Sequence, residues 1–266
     1  MKTLTLEEIG QKCPAAFTTT PHQDRSKRYR FISTLEIIKE MEQKGMFPVR
    51  ASQTPTLRDG SALHGKHMIT FRSREHIAND KGDVVPEAVL LNSHDGSTRY
   101  KFMAGLFRLV CLNGLLIAEG STGQIVTKHI GDFDFQKDIV RSGIKSMEHS
   151  LRMVNRVKEF EAKEMNDEAQ VKYATEALDI FRGMKVTTIP NPRELLISKR
   201  KADEADIKGN RNLWVTYNVV QENMIRGGAS YRLNNKERST KPASSIQKNL
   251  YYNLNLWRLT TEFFKG

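Results

Sequence analysis

The clearest fold signal in the chain is EAVLLNSHDGSTRYKFMAG, residues 87–105. Apolar and polar residues alternate on both sides of Asp95-Gly96, and an Asp-Gly pair between two such runs is a strong predictor of a β-hairpin. We therefore expect EAVLLNS and TRYKFMAG to pair as antiparallel strands.

Further β-rich runs lie on both sides of this hairpin, namely FPVRASQT, KHMITFRS and QIVTKHIG. Turn-favouring Gly, Asp and Asn residues separate them, which predicts a central, mostly antiparallel sheet of four to five strands. A helix at about 34–44 should precede the sheet, because Ser33 and Glu36 have the spacing of a capping box and Gly45 suits a helix end.

The pattern becomes helical after Gly131, where apolar residues recur at spacings of three and four. We expect a long helix followed by four others: 134–163, 167–182, 192–202 starting at Pro192, Leu213 to Met224 ending at Gly227-Gly228, and a C-terminal helix from about Leu250. The stretch GGASYRLNNKERSTKP lacks periodicity and predicts a mobile loop. The order of elements predicts an α+β fold in one domain, 1–266, with a helix and sheet part at 33–131 and a helical part at 132–266 that carries a basic loop at 226–241.

The net charge of +11 is concentrated in two segments. Residues 25–30, RSKRYR, contain four basic groups and no acid, and residues 208–266 contain ten basic groups against three acids. These segments carry +4 and +7, so the rest of the chain is formally neutral. A concentrated positive charge favours a polyanionic partner, and nucleic acid is the one we expect.

The apolar stretches are short and interrupted, so the sequence predicts no membrane helix. Glu7 and Glu8 stand where an export signal would be apolar, and we expect a cytoplasmic protein. The two cysteines, Cys13 and Cys111, lie in unlike surroundings, which excludes a disulfide framework and predicts that both are reduced.

Three blocks carry a family resemblance: GLFRLVCLNGL at 105–115 after NSHDG, LWVTYNVVQENMIRGG at 213–228, and LNLWRL at 254–259. Together they resemble the phage- and plasmid-borne domain-of-unknown-function 932 family over residues 20–260. The resemblance implies a mobile-element origin and a bacterial host cytoplasm, but no catalytic residues. The order of sheet and long helices is similar to that of phage single-strand-annealing proteins, at the level of fold analogy.

The two basic segments supply the candidate nucleic-acid contacts, because they combine cations for phosphates with aromatic rings for bases. The candidates are Arg25, Lys27, Arg28, Tyr29 and Arg30, with Phe31 beside them, and Arg226, Tyr231, Arg232, Lys236, Arg238 and Lys241. Solvated connecting loops are the alternative reading of both segments.

Other polar groups favour structural roles. Arg108 suits an ion pair among apolar neighbours or, less strongly, a ligand contact, Cys111 suits a core position, and Asn113-Gly114 suits a turn. Tyr217, Asn218, Gln221 and Glu222 can bridge elements of the fold.

Metal and catalytic signals are weak. Two groups could suggest a metal, His64 with His67 and His129 with Asp132 and Asp134, but neither has the spacing of a known metal site. The charged residues Glu159, Glu161 and Lys163 suit a solvated helix face. The sequence contains neither a nucleotide-binding loop nor a hydrolase motif. We therefore expect no cofactor, and we identify no catalytic centre from the sequence.

Three functions remain open from the sequence. The first is binding or annealing of single-stranded DNA by a homo-oligomer in recombination or replication of a mobile element. The second is an interaction protein that inhibits a host defence complex, with a host protein as partner. The third and weakest is a metal-dependent nuclease.

Overall fold

The computed structural model of the chain describes ten stretches, and the structural statements below concern these residues alone. They are residues 2–25, 31–54, 62–78, 84–98, 100–108, 113–117, 124–127, 135–183, 191–199 and 211–266. The chain divides into two compact units, with the main boundary between Met153 and Val154.

The first unit combines a β-sheet with short helices and the beginning of a long helix. Its elements are α1 (Leu6–Lys12), a short 3₁₀ helix (Pro14–Phe17), α2 (Thr34–Gln43), β1 (Met46–Gln53), β2 (His67–Ser73), α3 (Arg74–Ala78), β3 (Val84–Asn92), β4 (Tyr100–Arg108), β5 (Asn113–Ile117), β6 (Gln124–Thr127) and the part of α4 (Phe135–Glu161) that precedes the boundary.

The sheet has the strand order β1-β2-β3-β4, and these four strands pair antiparallel. In the predicted hairpin Ala88 lies opposite Ala104, and Gly96 in the turn has a φ of +71°. The hairpin and the α+β class are therefore confirmed. Both β5 and β6 pair with β4, so the sheet has six strands among the described residues. The strand that the sequence did not predict is β5. It contains Asn113-Gly114, where we had expected a turn.

Helix α2 begins and ends where the sequence predicted. The Ser33 hydroxyl accepts a hydrogen bond from the Glu36 amide at 3.3 Å, and Gly45 adopts a φ of +78° after the last turn. Between these ends, Ile37 and Met41 are fully buried in a cluster with sheet residues such as Phe71 and Phe102. Local capping sets the ends of α2, and burial of its apolar face holds it on the sheet.

A buried charge cluster joins the first three strands. Glu87 of β3 is fully buried and contacts Arg72 of β2 through Nε at 2.8 Å and Arg50 of β1 through Nη1 at 2.9 Å. The backbone carbonyl of Glu87 also accepts from the Ser150 hydroxyl of α4 at 2.6 Å. A buried carboxylate requires such partners, because desolvation of an unpaired charge costs several kcal/mol.

The second unit is largely helical. Its elements are the end of α4, β7 (Glu164–Met165), α5 (Asp167–Gly183), a 3₁₀ helix (Pro192–Leu196), β8 (Arg211–Asn212), α6 (Leu213–Arg226), β9 (Ser230–Leu233), β10 (Lys236–Ser239) and α7 (Ile246–Lys265).

Aromatic rings form much of the core of this unit. Trp214 stacks on Tyr217 with 5.4 Å between ring centroids, and Trp257 contacts Tyr217 and Phe160. The predicted helices are present, although Pro192 begins a 3₁₀ helix that ends at Leu196, before the expected end at 202. Across the described residues, none of the helices combines the length and the apolar character that a bilayer crossing needs.

Candidate nucleic-acid interface

The candidate interface begins directly after the C-terminal end of α6. Gly227 and Gly228 have φ values of +69° and +92°, which L-residues with side chains rarely adopt. A Cβ at Gly227 would lie 2.7 Å from the backbone carbonyl carbon of Lys241. The Gly228 amide donates to the Thr240 carbonyl at 2.8 Å, and the Thr240 amide donates to Ala229 at 2.9 Å. The two glycines therefore let residues 228–229 and 240 begin an antiparallel ladder.

The ladder continues as a β-hairpin, so the predicted loop at 226–241 is wrong. Strands β9 and β10 pair with Leu233 opposite Lys236 and Tyr231 opposite Arg238. Asn234 and Asn235 have φ values of 50° and 58°, the backbone of a two-residue type I′ turn. Asn tolerates this conformation better than other side chains, and this makes the turn possible without glycine.

Successive side chains along each strand point to opposite sides, so the hairpin has two faces. We call the first the Tyr231 face, and its members are Tyr231, Leu233, Lys236 and Arg238. We call the second the Glu237 face, and its members are Ser230, Arg232, Glu237 and Ser239. On the Tyr231 face the tyrosine is half-buried and the other three residues are exposed.

The charges of the Tyr231 face are not neutralised within the described residues. Neither Lys236 nor Arg238 has an ion-pair partner there, whereas Arg226 on α6 pairs with the buried Glu222 at 3.3 Å. Lys241 is exposed just after β10. The structure thus brings four of the predicted contacts of this segment, Tyr231, Arg232, Lys236 and Arg238, onto one hairpin and places Arg226 in a local ion pair.

The other basic segment lies in the first unit, and only its first residue is described. The Arg25 guanidinium packs on the turn of the β3–β4 hairpin, where a Cβ at Gly96 would lie 2.6 Å from Arg25 Nη1. The predicted contacts Lys27, Arg28, Tyr29 and Arg30 lie outside the described residues, as do Cys111, His129, Asp132 and Asp134. The side chain of Arg108 is also outside them, so its predicted ion pair stays a prediction.

Comparison with known proteins bears on the family. The profile of the family described as Domain of unknown function (DUF932) matches residues 21–257. The chain belongs to the DUF932 family. Two relatives from Escherichia coli strain K12, the UPF0380 proteins YafZ and YfjQ, are 34% and 32% identical over 259 residues, or 96% of this chain and 89% of each relative. No solved structure matches the chain significantly.

This DUF932 chain also contains a buried polar cluster that its sequence did not reveal. His67 on β2 is fully buried, and its Nδ1 lies 2.9 Å from the Gly65 carbonyl, so Nδ1 carries the proton. Nε2 then accepts from the Thr34 hydroxyl at 2.9 Å, and that hydroxyl accepts from Asn92 at 3.1 Å. Burial lowers the pKa of His67 to about 4.

Three further histidines surround this cluster in the first unit of the DUF932 chain. His94 lies 5.1 Å from His67 between ring centroids, and His22 lies edge-on to His64 at 5.2 Å. In the described part of the chain, no group of three or more His, Cys, Asp or Glu side chains is arranged to hold a metal ion. Thr34 of α2, His67 of β2 and Asn92 of β3 form a hydrogen-bond network that joins α2 to the sheet.

The polar residues of α6 have structural partners in the DUF932 fold. The Asn218 amide donates to the Trp214 carbonyl at 2.7 Å, and the Gln221 amide donates to Asn253 of α7 at 3.0 Å. Both side chains are buried. The predicted bridging role is confirmed for Gln221, whereas the bond of Asn218 stays within α6. In the first unit, Cys13 is a free, buried thiol, and burial raises its pKa to about 12, as for a core residue.

Proposed function

We propose that this DUF932 protein binds single-stranded nucleic acid, with DNA as the favoured partner, through the Tyr231 face of the β9–β10 hairpin. The observation that carries the proposal is an aromatic ring that shares one face of an exposed two-stranded ribbon with two cations, Lys236 and Arg238, neither of which has an ion-pair partner among the described residues. In this proposal the protein acts in the bacterial cytoplasm, in recombination or replication of a mobile element, and functions as a homo-oligomer.

The chemistry of each side chain supports a different part of the contact. Lys236 and Arg238 supply positive charge for successive phosphates, and release of counter-ions makes such contacts favourable at low salt. Tyr231 lies opposite Arg238 and offers a ring on which a base can stack. Leu233 adds exposed apolar surface beside them. Stacking needs an unpaired base, and for this reason the face suits a single strand better than a duplex.

The test is a fluorescence-anisotropy titration with labelled oligo(dT), the matching duplex and oligo(U) over a salt series. We expect tighter binding of the single strand, and a Lys236→Ala/Arg238→Ala variant should bind roughly tenfold more weakly at low salt. Loss of two phosphate contacts should also reduce the slope of log K against log salt by about 1.4 for a single strand.

The matched control is Arg258→Ala/Lys265→Ala, which removes the same charge from exposed positions on α7 in the same unit. If the two double variants weaken binding equally, the protein has only a general attraction for polyanions and the proposed interface is wrong. Equal affinity for duplex and single strand would exclude the stacking role of Tyr231.

A further inference from the structure

A small cavity lies beside the Glu237 face of the hairpin, within the second unit. It has a volume of about 300 Å³, and the 3₁₀ helix forms its other side. Its lining residues are Asn191, Glu194, Ser230, Tyr231, Arg232 and Glu237. The size is at the lower end of small-ligand sites, which suits a single planar ring system.

Contacts with backbone amides position Glu194 and Asn191 at the cavity, and strand register places Arg232 and Glu237 beside them. The Ser230 amide donates to Glu194 Oε2 at 3.2 Å, which ties this carboxylate to the start of β9. Asn191 caps the 3₁₀ helix by accepting from the Arg193 amide at 2.9 Å. Arg232 and Glu237 lie opposite each other in the hairpin register. The cavity is thus lined by two carboxylates and one guanidinium.

This set of groups is selective among nucleobases. Carboxylates accept hydrogen bonds only, and a guanidinium donates only. Guanine has two adjacent donors, N1–H and the N2 amino group, and two acceptors, O6 and N7, on its other edge. Adenine and cytosine place an acceptor next to their amino group, and thymine and uracil flank their one donor with acceptors. Guanine is therefore the base that offers two adjacent donors to one carboxylate and, with O6 and N7, two acceptors to one guanidinium.

We propose that this cavity holds a guanine base of the bound strand, with Glu194 or Glu237 on its donor edge and Arg232 on O6 and N7. The proposal rests on the proposed function, because the strand on the Tyr231 face brings the base to the neighbouring cavity. It goes further because it assigns a base preference to the second face of the same hairpin, the Glu237 face.

The experiment compares anisotropy titrations of oligo(dT) of about twelve nucleotides with the same strand carrying one central guanine, inosine or adenine. A single guanine avoids four-stranded structures. We expect the guanine strand to bind roughly tenfold tighter than oligo(dT), the adenine strand to show no gain, and the inosine strand, which lacks the N2 amino group, to lose most of the gain.

The variants are Glu194→Gln and Glu237→Gln, and Glu262→Gln on α7 is the matched control. Glutamine keeps an acceptor for the Ser230 amide, so the fold at Glu194 is preserved. Each variant loses one negative charge and binds all strands more tightly, so the measured quantity is the ratio of guanine-strand to oligo(dT) affinity. This ratio should fall toward one for at least one cavity variant and stay unchanged for the control.

The outcomes separate the two proposals. If oligo(dT) binds through Lys236 and Arg238 but guanine adds nothing, the guanine site is wrong and the proposed function stands. A guanine preference that survives both cavity variants overturns the site as well. If no strand binds at low salt, both proposals are overturned.

Discussion

The β3–β4 and β9–β10 hairpins use turn residues with positive φ in opposite environments. In the β3–β4 hairpin, residues 85–92 of β3 are all buried, whereas all four residues of β10 in the β9–β10 hairpin are exposed. Both turns contain residues with positive φ, Gly96 in the first and Asn234 and Asn235 in the second. The comparison shows that hairpin geometry by itself does not assign a role. Burial makes the first hairpin part of the core, and exposure leaves the side chains of the second available for a partner.

The largest expected difference between the hairpins concerns one carboxylate in each. Glu87→Gln in β3 removes the anion that Arg50 and Arg72 contact, and breaking a buried pair costs about 3–5 kcal/mol. Glu237→Gln in β10 makes the same change at an exposed position and should alter the free energy of unfolding by less than about 0.5 kcal/mol. Urea unfolding, monitored by hydrogen exchange in peptides from each hairpin, measures both changes in the free energy of unfolding. Equal effects would contradict the assignment of the first hairpin to the core.

The second prediction is that acid destabilises the first unit through His67. Burial lowers the pKa of His67 from 6.5 to about 4, so the unfolded chain binds the proton more tightly than the folded chain. The contribution of neutral, buried His67 to the free energy of unfolding is fully present above pH 6.5. It is lost as the pH falls to 4, and the loss amounts to up to about 3 kcal/mol.

The His67→Gln variant cannot titrate at this position, and its unfolding free energy should depend less on pH across this window. Urea midpoints at several pH values, read from β3–β4 peptides by hydrogen exchange, check the difference. The two tryptophans, Trp214 and Trp257, both lie in the second unit, and their fluorescence follows that unit in the same samples. Identical pH profiles for variant and wild type would exclude His67 as the source.

A third prediction compares one tyrosine from each hairpin. Tyr231→Ala should weaken binding of single-stranded DNA roughly tenfold, because stacking contributes about 1–3 kcal/mol per base, and it should leave the fold intact. Tyr100→Phe removes a buried hydroxyl that donates to the Ile32 carbonyl at 3.2 Å, so it should cost about 1 kcal/mol of stability without changing DNA affinity. Anisotropy and urea unfolding on both variants test the contrast. It fails if Tyr100→Phe weakens binding or Tyr231→Ala does not.

The smallest expected effects are at the two turns. Asn235→Gly places the residue without a Cβ where φ is +58° and should stabilise the second hairpin by about 0.5 kcal/mol. Gly96→Ala puts a Cβ at a φ of +71° against Arg25 and should cost about 1 kcal/mol. Hydrogen exchange of amides in each hairpin reports both changes. A loss of protection in Asn235→Gly would argue against the type I′ turn.

Sequence reasoning succeeded where one segment carried its own signal. Ser33 and Gly45 set the ends of α2 through hydrogen bonds and backbone conformation within a few residues. Asp95-Gly96 between alternating runs predicted the β3–β4 hairpin in the same way. The β9–β10 hairpin was missed because its strands are only four residues long and their polar side chains do not alternate in hydropathy. The Asn234-Asn235 pair was the available signal for its turn.

The sequence by itself determined the α+β order of elements, the concentration of charge in two segments and the family, because each depends on neighbouring residues or on composition. Only the tertiary structure decided that Tyr231 and Arg238 share a face, that Glu194 lies beside Ser230, and that His67, Thr34 and Asn92 meet. These groups are brought together by strand register and by burial of apolar surface elsewhere in the chain. Contacts of that kind depend on many distant residues at once, and for this reason no single segment encodes them.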